Sequence, residues 1–364
     1  MIDSRLTIIL PIYGRDNFTK RFVRYCQYNK CPFHIIIGNG KPNKKNINFF
    51  QNPKNFKGLS YEYHQFKDKN FYDFYSKMYK LATLVKTKYA MQVDNDDFVI
   101  FSGLSKMLDQ LEKSNNLYIS GKGLFGNFSV INNEAFGKLN YFEKNSSINY
   151  AHEMALKSEK NKVLFSIKYG IASYYNIIEK KYLVKILYEI KEMNFSDLFF
   201  HELYFSARLH MLGKELYAPK LLVYLRQTGS SLDSNKLNGG WGKLFLTRDF
   251  HGDFNKLCKK FKKEFAFDLK ADLLNCFSFF MSNRINSIRD FYINQSLLSG
   301  TLRLLTFLSC RIKKVYPIMF SYLFFIIPLF FCNIFNTVFL RFLFRKTQLM
   351  NIEIYYFIKA INGK

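Results

Sequence analysis

Acidic side chains are scarce in this chain. Its 364 residues carry 28 Asp and Glu against 54 Lys and Arg, a formal net charge of +26 with a pI near 9.6. A surface this short of carboxylates repels cations and draws polyanions, whether nucleic acid, anionic lipid or phosphorylated small molecules. A codon bias toward Lys, Asn, Ile and Phe also raises the charge without any partner being involved. Cysteine is sparse as well. The six thiols, Cys26, Cys31, Cys258, Cys276, Cys310 and Cys332, form no CxxC pair and no Cys/His metal spacing. That excludes a zinc module and a disulfide framework, and the thiols are expected to be reduced and mostly buried. The basic residues are spread along the chain, and no basic region leads into heptads, so nucleic acid is not an expected partner. Met1 to Arg5 is polar and the apolar run after it stops at Pro11, so no secretory leader is expected.

Hydrophobic residues make up 48% of the chain, enough for a sizeable core. Leu6-Thr7-Ile8-Ile9-Leu10 is a short apolar run whose length and β-branching suit a buried parallel strand. Helical spacing follows from about Asn17 to Asn29. Phe33 to Ile37 reads as a second buried strand, closed by the turn Gly38-Asn39-Gly40. Tyr61 to Phe66 suits a third strand. Asp73 to Val85 is amphipathic, with Phe74, Met78, Leu81 and Val85 on one face. Tyr89 to Val93 is a further strand. Alternating strands and helices imply an α/β fold, a mostly parallel sheet flanked by helices. In such sheets ligands sit beyond the carboxyl ends of the strands, so the loops after Leu10, Ile37 and Val93 are expected to share one crevice. Later, Tyr118 to Ser120 reads as a strand and Gly121 to Gly126 as a loop. Asp197 to Leu212 reads as a helix, Leu222 to Arg226 as sheet, and Ser230 to Gly242 as a linker.

In so basic a chain, Asp94-Asn95-Asp96-Asp97 stands out. Three carboxylates within four residues repel one another unless a cation or a hydrogen-bond network compensates. A hard divalent cation, Mg²⁺ or Mn²⁺, is the natural partner, with substrate phosphates completing its shell. The bland alternative is a solvated turn, since Asp and Asn favour turns and caps. Phe98-Val99-Ile100-Phe101 continues apolar, which an exposed turn would not need.

These segments together resemble the family 2 glycosyltransferases with the GT-A fold, over about residues 5 to 228. Thr7-Ile8-Ile9-Leu10-Pro11-Ile12-Tyr13-Gly14-Arg15 is similar to that family's opening strand and P-x-Y-x-R turn. Tyr89 to Phe98 is similar to its metal-binding strand with a D-x-D-D ending. His201-Glu202-Leu203-Tyr204-Phe205-Ser206-Ala207-Arg208-Leu209 is similar to its E-D-x-x-L-x-x-R helix, and Gly213-Lys214, Tyr217, Pro219 and Tyr224 to its closing strand. The resemblance implies a nucleotide-diphosphate sugar donor, Mn²⁺ or Mg²⁺ on the D-x-D, and an inverting transfer to a hydroxyl of a glycan or lipid-linked acceptor. Asp96 would bind the metal, with Asp94 beside it and near the ribose and sugar. Glu202 would be the general base, although a carboxylate early in a helix also suits the helix dipole. His201 is a minor candidate. Pro11, Tyr13 and Arg15 would line the donor site.

The family commonly has an acidic residue after its second strand. Here the stretch is Gly38-Asn39-Gly40-Lys41, leaving Asn39 to meet a base edge and Lys41 to face phosphate. Asp73 and Lys77 either form an i,i+4 ion pair or line the donor pocket. Arg226 is placed to grip a diphosphate with a bidentate fork. Residues 1–235 are thus expected to form the catalytic domain, and 236–364 a helical, basic C-terminal region. Within it, 317–340 is almost wholly apolar and long enough to span or enter a bilayer, with Arg311, Lys313, Lys314, Arg341, Arg345 and Lys346 on its flanks. An enzyme of bacterial-type surface-glycan synthesis is therefore expected in the cytoplasm, against the anionic inner face of the membrane. Two other classes compete. A nucleotidyltransferase acting on sugar phosphates would need a Gly-rich phosphate loop, which Pro11 to Arg15 does not resemble. A basic membrane-associated scaffold would have no use for both Asp96 and Glu202.

Overall fold

The computed structural model describes residues 2–128, 139–142, 158–169, 173–227, 248–265, 270–273 and 275–276. The linker at 230–242, the domain boundary at 235 and the apolar run 317–340 lie outside these residues. Among the described residues, no helix is long and apolar enough to cross a membrane.

The opening run folds as β1 (Asp3–Ile12). Leu6, Ile8, Leu10 and Ile12 alternate onto one face and join a core cluster. Thr7 and Ile9, on the other face, are equally buried. Burial on both faces is why the strand reads as a continuous apolar run. β2 (Phe33–Asn39) pairs parallel with β1, and β3 (Tyr61–Gln65) parallel with β2. β4 (Tyr89–Gln92) pairs parallel with β1 on its other side. Ile9 stands opposite Gln92 and Ile12 opposite Asn39, so the three carboxyl ends line up. Between these strands run α1 (Asp16–Tyr28), α2 (Lys44–Gln51) and α3 (Phe71–Leu84).

β5 (Phe98–Val99) and α4 (Phe101–Glu112) follow the acidic cluster. Then come β6 (Tyr118–Phe128), β7 (Leu139–Phe142), α5 (Glu159–Tyr169), β8 (Ile177–Glu179), α6 (Lys180–Met193), α7 (Leu198–Met211), β9 (Glu215–Gln227) and α8 (Arg248–Phe265). The sheet runs β3-β2-β1-β4-β8-β6-β9-β5, with β7 on β6. Beyond β4 the pairings β4–β8, β8–β6, β6–β7 and β9–β5 are antiparallel and only β6–β9 is parallel. The sheet is therefore mixed, where the alternating pattern implied a mostly parallel one. The cause is β8: a three-residue strand that no periodicity reveals reverses direction in the middle of the sheet.

Gly121–Gly126, expected as a loop, is part of β6. Its glycines read as a turn, but Gly123 has a packing role. A Cβ there would overlap the Tyr224 ring, which lies on the strand at that point. α1, α2 and α4 contribute Phe22, Phe50, Leu104 and Leu108 to the cluster on one side of the sheet. On the other side α3 packs on α6 and α5 on α7. α6 ends at Asn194, in the left-handed region at φ 45, whose N–H bonds back to Ile190. Asp197 then caps α7 by accepting from the Phe199 N–H at 2.8 Å. α8 lies against α7 through Phe250 on Phe200 (5.1 Å between rings) and Phe261 on Tyr204 (6.1 Å).

Candidate active site

β4 ends at Gln92, and Val93 still donates to Ile9 at 3.0 Å. The chain then turns, with the Asp97 N–H bonding to the Asp94 carbonyl at 3.3 Å. The turn gathers Asp94, Asp96 and Asp97 so that one ligand oxygen from each lies within 4.8 Å of the others. Asp94 is exposed in the crevice, while Asp96 and Asp97 are buried. The Asp94 carboxyl is pushed above its usual range, first by the protein mass around it and next by Asp96. Asp94 therefore has an open path to solvent yet lies in a poorly hydrated field. Asp97 is pushed up much further, by burial and then by Asp96 and Asp94. Hard oxygen donors, close together and short of compensating charge, suit a divalent cation. Asp94 and Asp96 fit as its ligands, with Asp97 behind them.

The rest of the chain has already supplied partial compensation. Arg15 donates to Asp96 Oδ2 at 2.9 Å. It sits in the left-handed region at φ 58, directly after Gly14 at φ 65. Such a conformation costs a non-glycine residue on the order of 1 kcal/mol or more and recurs where a side chain must be aimed. Tyr175, in the loop before β8, donates to Asp97 Oδ2 and reaches Asp94 Oδ2 at 3.4 Å. Its ring stacks on Tyr224 at 4.3 Å. Burial pushes the Tyr175 hydroxyl well above its ordinary value, so it stays a donor.

Arg226 and Glu202 complete the constellation. Burial disfavours the charged guanidinium of Arg226, but Tyr175, Asp97, Glu202 and Asp94 together hold it above its ordinary value. The topology therefore brings β4, β9, α7 and the β8 loop to one electrostatic centre. Glu202 is half-buried and lies one turn into α7, a turn further along than the helix-dipole reading needs. Its neighbour His201 is buried among Phe74, Tyr75 and Tyr174, with ring centroids at 5.8, 4.9 and 5.8 Å. Burial drops its pKa to about 3, and its Nδ1 has no hydrogen-bond partner.

Other expected donor residues divide. Pro11 lies on β1 opposite Gly38. Tyr13 is 51% exposed in the turn after β1, with the Lys41 ammonium 5.5 Å from its ring centre. Asn39, expected to meet a base, is fully buried. It donates to Asn46 at 3.2 Å and Tyr63 at 3.0 Å and accepts from the Lys41 N–H. Its hydrogen bonds are spent inside the protein. Asp73 and Lys77 do not pair. Asp73 accepts from the Lys69 N–H at 2.9 Å at the start of α3. Lys77 is buried in an ion pair with Asp68 and reaches the Ile12 carbonyl at 3.4 Å. A Cβ on Gly40 would overlap that ion pair.

Sequence reading missed Arg21, Asp68 and Tyr175. Each is one more Arg, Asp or Tyr in a chain with 25 Tyr and 54 Lys and Arg, and each gains its meaning from a partner at least nine positions away.

No protein-family model matches the sequence, and no curated protein sequence matches it. Solved structures of S. aureus TarS are similar in fold. TarS 1-349 in complex with UDP-GlcNAc is 9% identical with a TM-score of 0.44, over 79% of this chain and 83% of that one. TarS 1-349 in complex with UDP is 10% identical with a TM-score of 0.40, over 73% of each. A longer TarS structure is 10% identical with a TM-score of 0.42, over 72% of this chain and 44% of that one.

Proposed function

We propose that this chain is a glycosyltransferase that moves a sugar from a nucleotide-diphosphate sugar to a hydroxyl of a glycan or lipid-linked acceptor, with inversion. The observation that carries the reading is the meeting of Asp94, Asp96 and Asp97 with Arg226 and Glu202 at the carboxyl edge of the sheet. That site combines an anionic cation seat, a partly buried guanidinium and a half-buried carboxylate.

In this reading Asp96 and Asp94 hold Mn²⁺ or Mg²⁺. A divalent cation there supplies Lewis-acid stabilisation of the charge developing on the leaving diphosphate. Arg226 grips the same diphosphate through its planar fork, and Arg15 reaches it from the turn after β1. Tyr13 and Pro11 border the donor at the crevice mouth, and Asp94 orients the ribose and sugar. Tyr175 holds Asp97 and keeps the cluster from spreading. Glu202 takes the proton of the acceptor hydroxyl as its oxygen forms the new bond to the anomeric carbon. The bond from that carbon to the phosphate oxygen breaks, and its electrons leave with the nucleoside diphosphate.

The charge of +26 and the apolar segment 317–340 favour an acceptor at the anionic inner face of the membrane. Vesicle flotation of the chain with and without residues from Val315 onward tests that part. Calorimetry with a panel of nucleoside diphosphates, with and without Mn²⁺, tests the donor site. Binding of at least one diphosphate that needs Mn²⁺ and is lost in Asp96→Ala supports the reading. Equal binding by Asp96→Ala with Mn²⁺ present removes it.

A further inference from the structure

The turn carrying the acidic cluster is fastened at three points to α1 and the residue just before it. Arg15 takes the Asp96 carboxylate. Thr19 Oγ1 accepts from the Asn95 side chain at 2.8 Å. Arg21 donates to the main-chain oxygen of Asp96 at 2.6 Å. The last contact is unusual. Arg21 is only 3% exposed, and an arginine is rarely sealed in a core without a specific task. Its guanidinium lies between two rings, 4.9 Å from the centre of Phe18 on its own helix and 4.7 Å from that of Phe98 just past the cluster. Stacked on both sides, the planar fork has little freedom to turn.

We infer that Arg21 is a positioning residue for the cation seat: it clamps the Asp96 carbonyl and so fixes the direction in which the Asp96 carboxylate points. Asp96 lies in a turn that the Asp97 N–H closes onto the Asp94 carbonyl at 3.3 Å, and Arg21 ties its main chain to the helix behind it. Metal-binding and diphosphate-binding geometries tolerate displacements of only about half an ångström. The Arg21 guanidinium also places a positive charge behind the cluster. Lysine would keep that charge. It would not keep the stacked fork, because an ammonium is a point donor on a flexible stem.

The inference rests on the cation reading of the cluster, and one experiment separates the two. Amide hydrogen exchange of residues 93–98 is compared in the wild type, Arg21→Lys and Arg21→Met, beside Mn²⁺ binding followed by electron paramagnetic resonance. Clamping predicts that exchange in 93–98 quickens at least ten-fold in both variants, while β1 and β2 stay as protected as in the wild type. It also predicts that Mn²⁺ affinity falls at least ten-fold in both, Arg21→Lys included. A role in stability alone would lower the melting temperature and quicken exchange everywhere, leaving the Mn²⁺ affinity of folded protein unchanged. Wild-type exchange and Mn²⁺ affinity in folded Arg21→Lys overturn the inference. A wild type that binds no Mn²⁺ overturns the cation reading, and the exchange of 93–98 then decides by itself whether Arg21 holds the turn.

Discussion

Arg15 donates to Asp96 at 2.9 Å, so the carboxylate expected to meet a divalent cation already faces a guanidinium. An entering cation has to displace or share that partner. Arg15 is 30% exposed and Asp96 7%, so the guanidinium end of the pair is partly solvated and can move aside. Arg15→Ala should therefore tighten Mn²⁺ binding roughly two- to five-fold in the absence of nucleotide. The same change should weaken diphosphate binding, because the guanidinium is lost from the donor side. Mn²⁺ binding that weakens in Arg15→Ala would show that the guanidinium supports the seat instead of competing for it.

Glu202→Gln keeps the shape of the side chain and removes the proposed base. Donor binding should stay within about two-fold, and transfer should fall by roughly 10²- to 10⁴-fold. Single-turnover assays with donor and acceptor measure both. Transfer that survives would assign the proton to another group. His201, held neutral at pH 7 by burial, would then be the first to examine.

Lys77 and Asp68 are an ion pair with 0% and 4% side-chain exposure. Desolvation lowers the Lys77 pKa and Asp68 opposes it. Removing one partner strands the other charge, so Asp68→Asn should cost about 3–5 kcal/mol, while Asp68→Leu with Lys77→Met should recover much of the loss. Urea denaturation of the three proteins measures this. A loss below about 1 kcal/mol in Asp68→Asn would contradict a buried pair.

His201 gives a pH signature. Its folded pKa, about 3, lies below the ordinary 6.5, so the unfolded chain takes up the proton first. The stability tied to its neutrality is complete above pH 6.5 and is lost as pH falls from there toward 3, with a slope approaching about 1.4 kcal/mol per pH unit. His201→Leu should flatten that acid limb relative to the wild type. Parallel limbs in chemical denaturation between pH 6 and 4 would contradict it.

The parallel half of the sheet was legible because its signal is local. Five residues before Pro11 and five before Asp94, four of each apolar, mark strands buried on both faces. The acidic cluster was legible for the same reason, since three carboxylates in four positions repel one another wherever they lie. β6 reads as a turn from sequence because its glycines, Gly123 against the Tyr224 ring and Gly121 against Val223 and Met107, look like turn residues when those neighbours are not in view. β8 is three residues long and leaves no period. Asn39 looked free at the end of a strand, and only the fold brings Asn46 and Tyr63 to it. Arg21 and Tyr175 were invisible for a related reason: a buried arginine and a hydroxyl donor differ from surface ones only in their surroundings.

We propose that the acidic cluster holds the leaving diphosphate of a nucleotide sugar. The most direct measurement is release of nucleoside diphosphate from a panel of nucleotide sugars, with and without Mn²⁺, by the wild type and Asp96→Ala. At least one donor should be turned over, turnover should require the cation, and folded Asp96→Ala should lose it by about 10²-fold or more. Turnover of no donor, or turnover that Asp96→Ala retains in full, would contradict it.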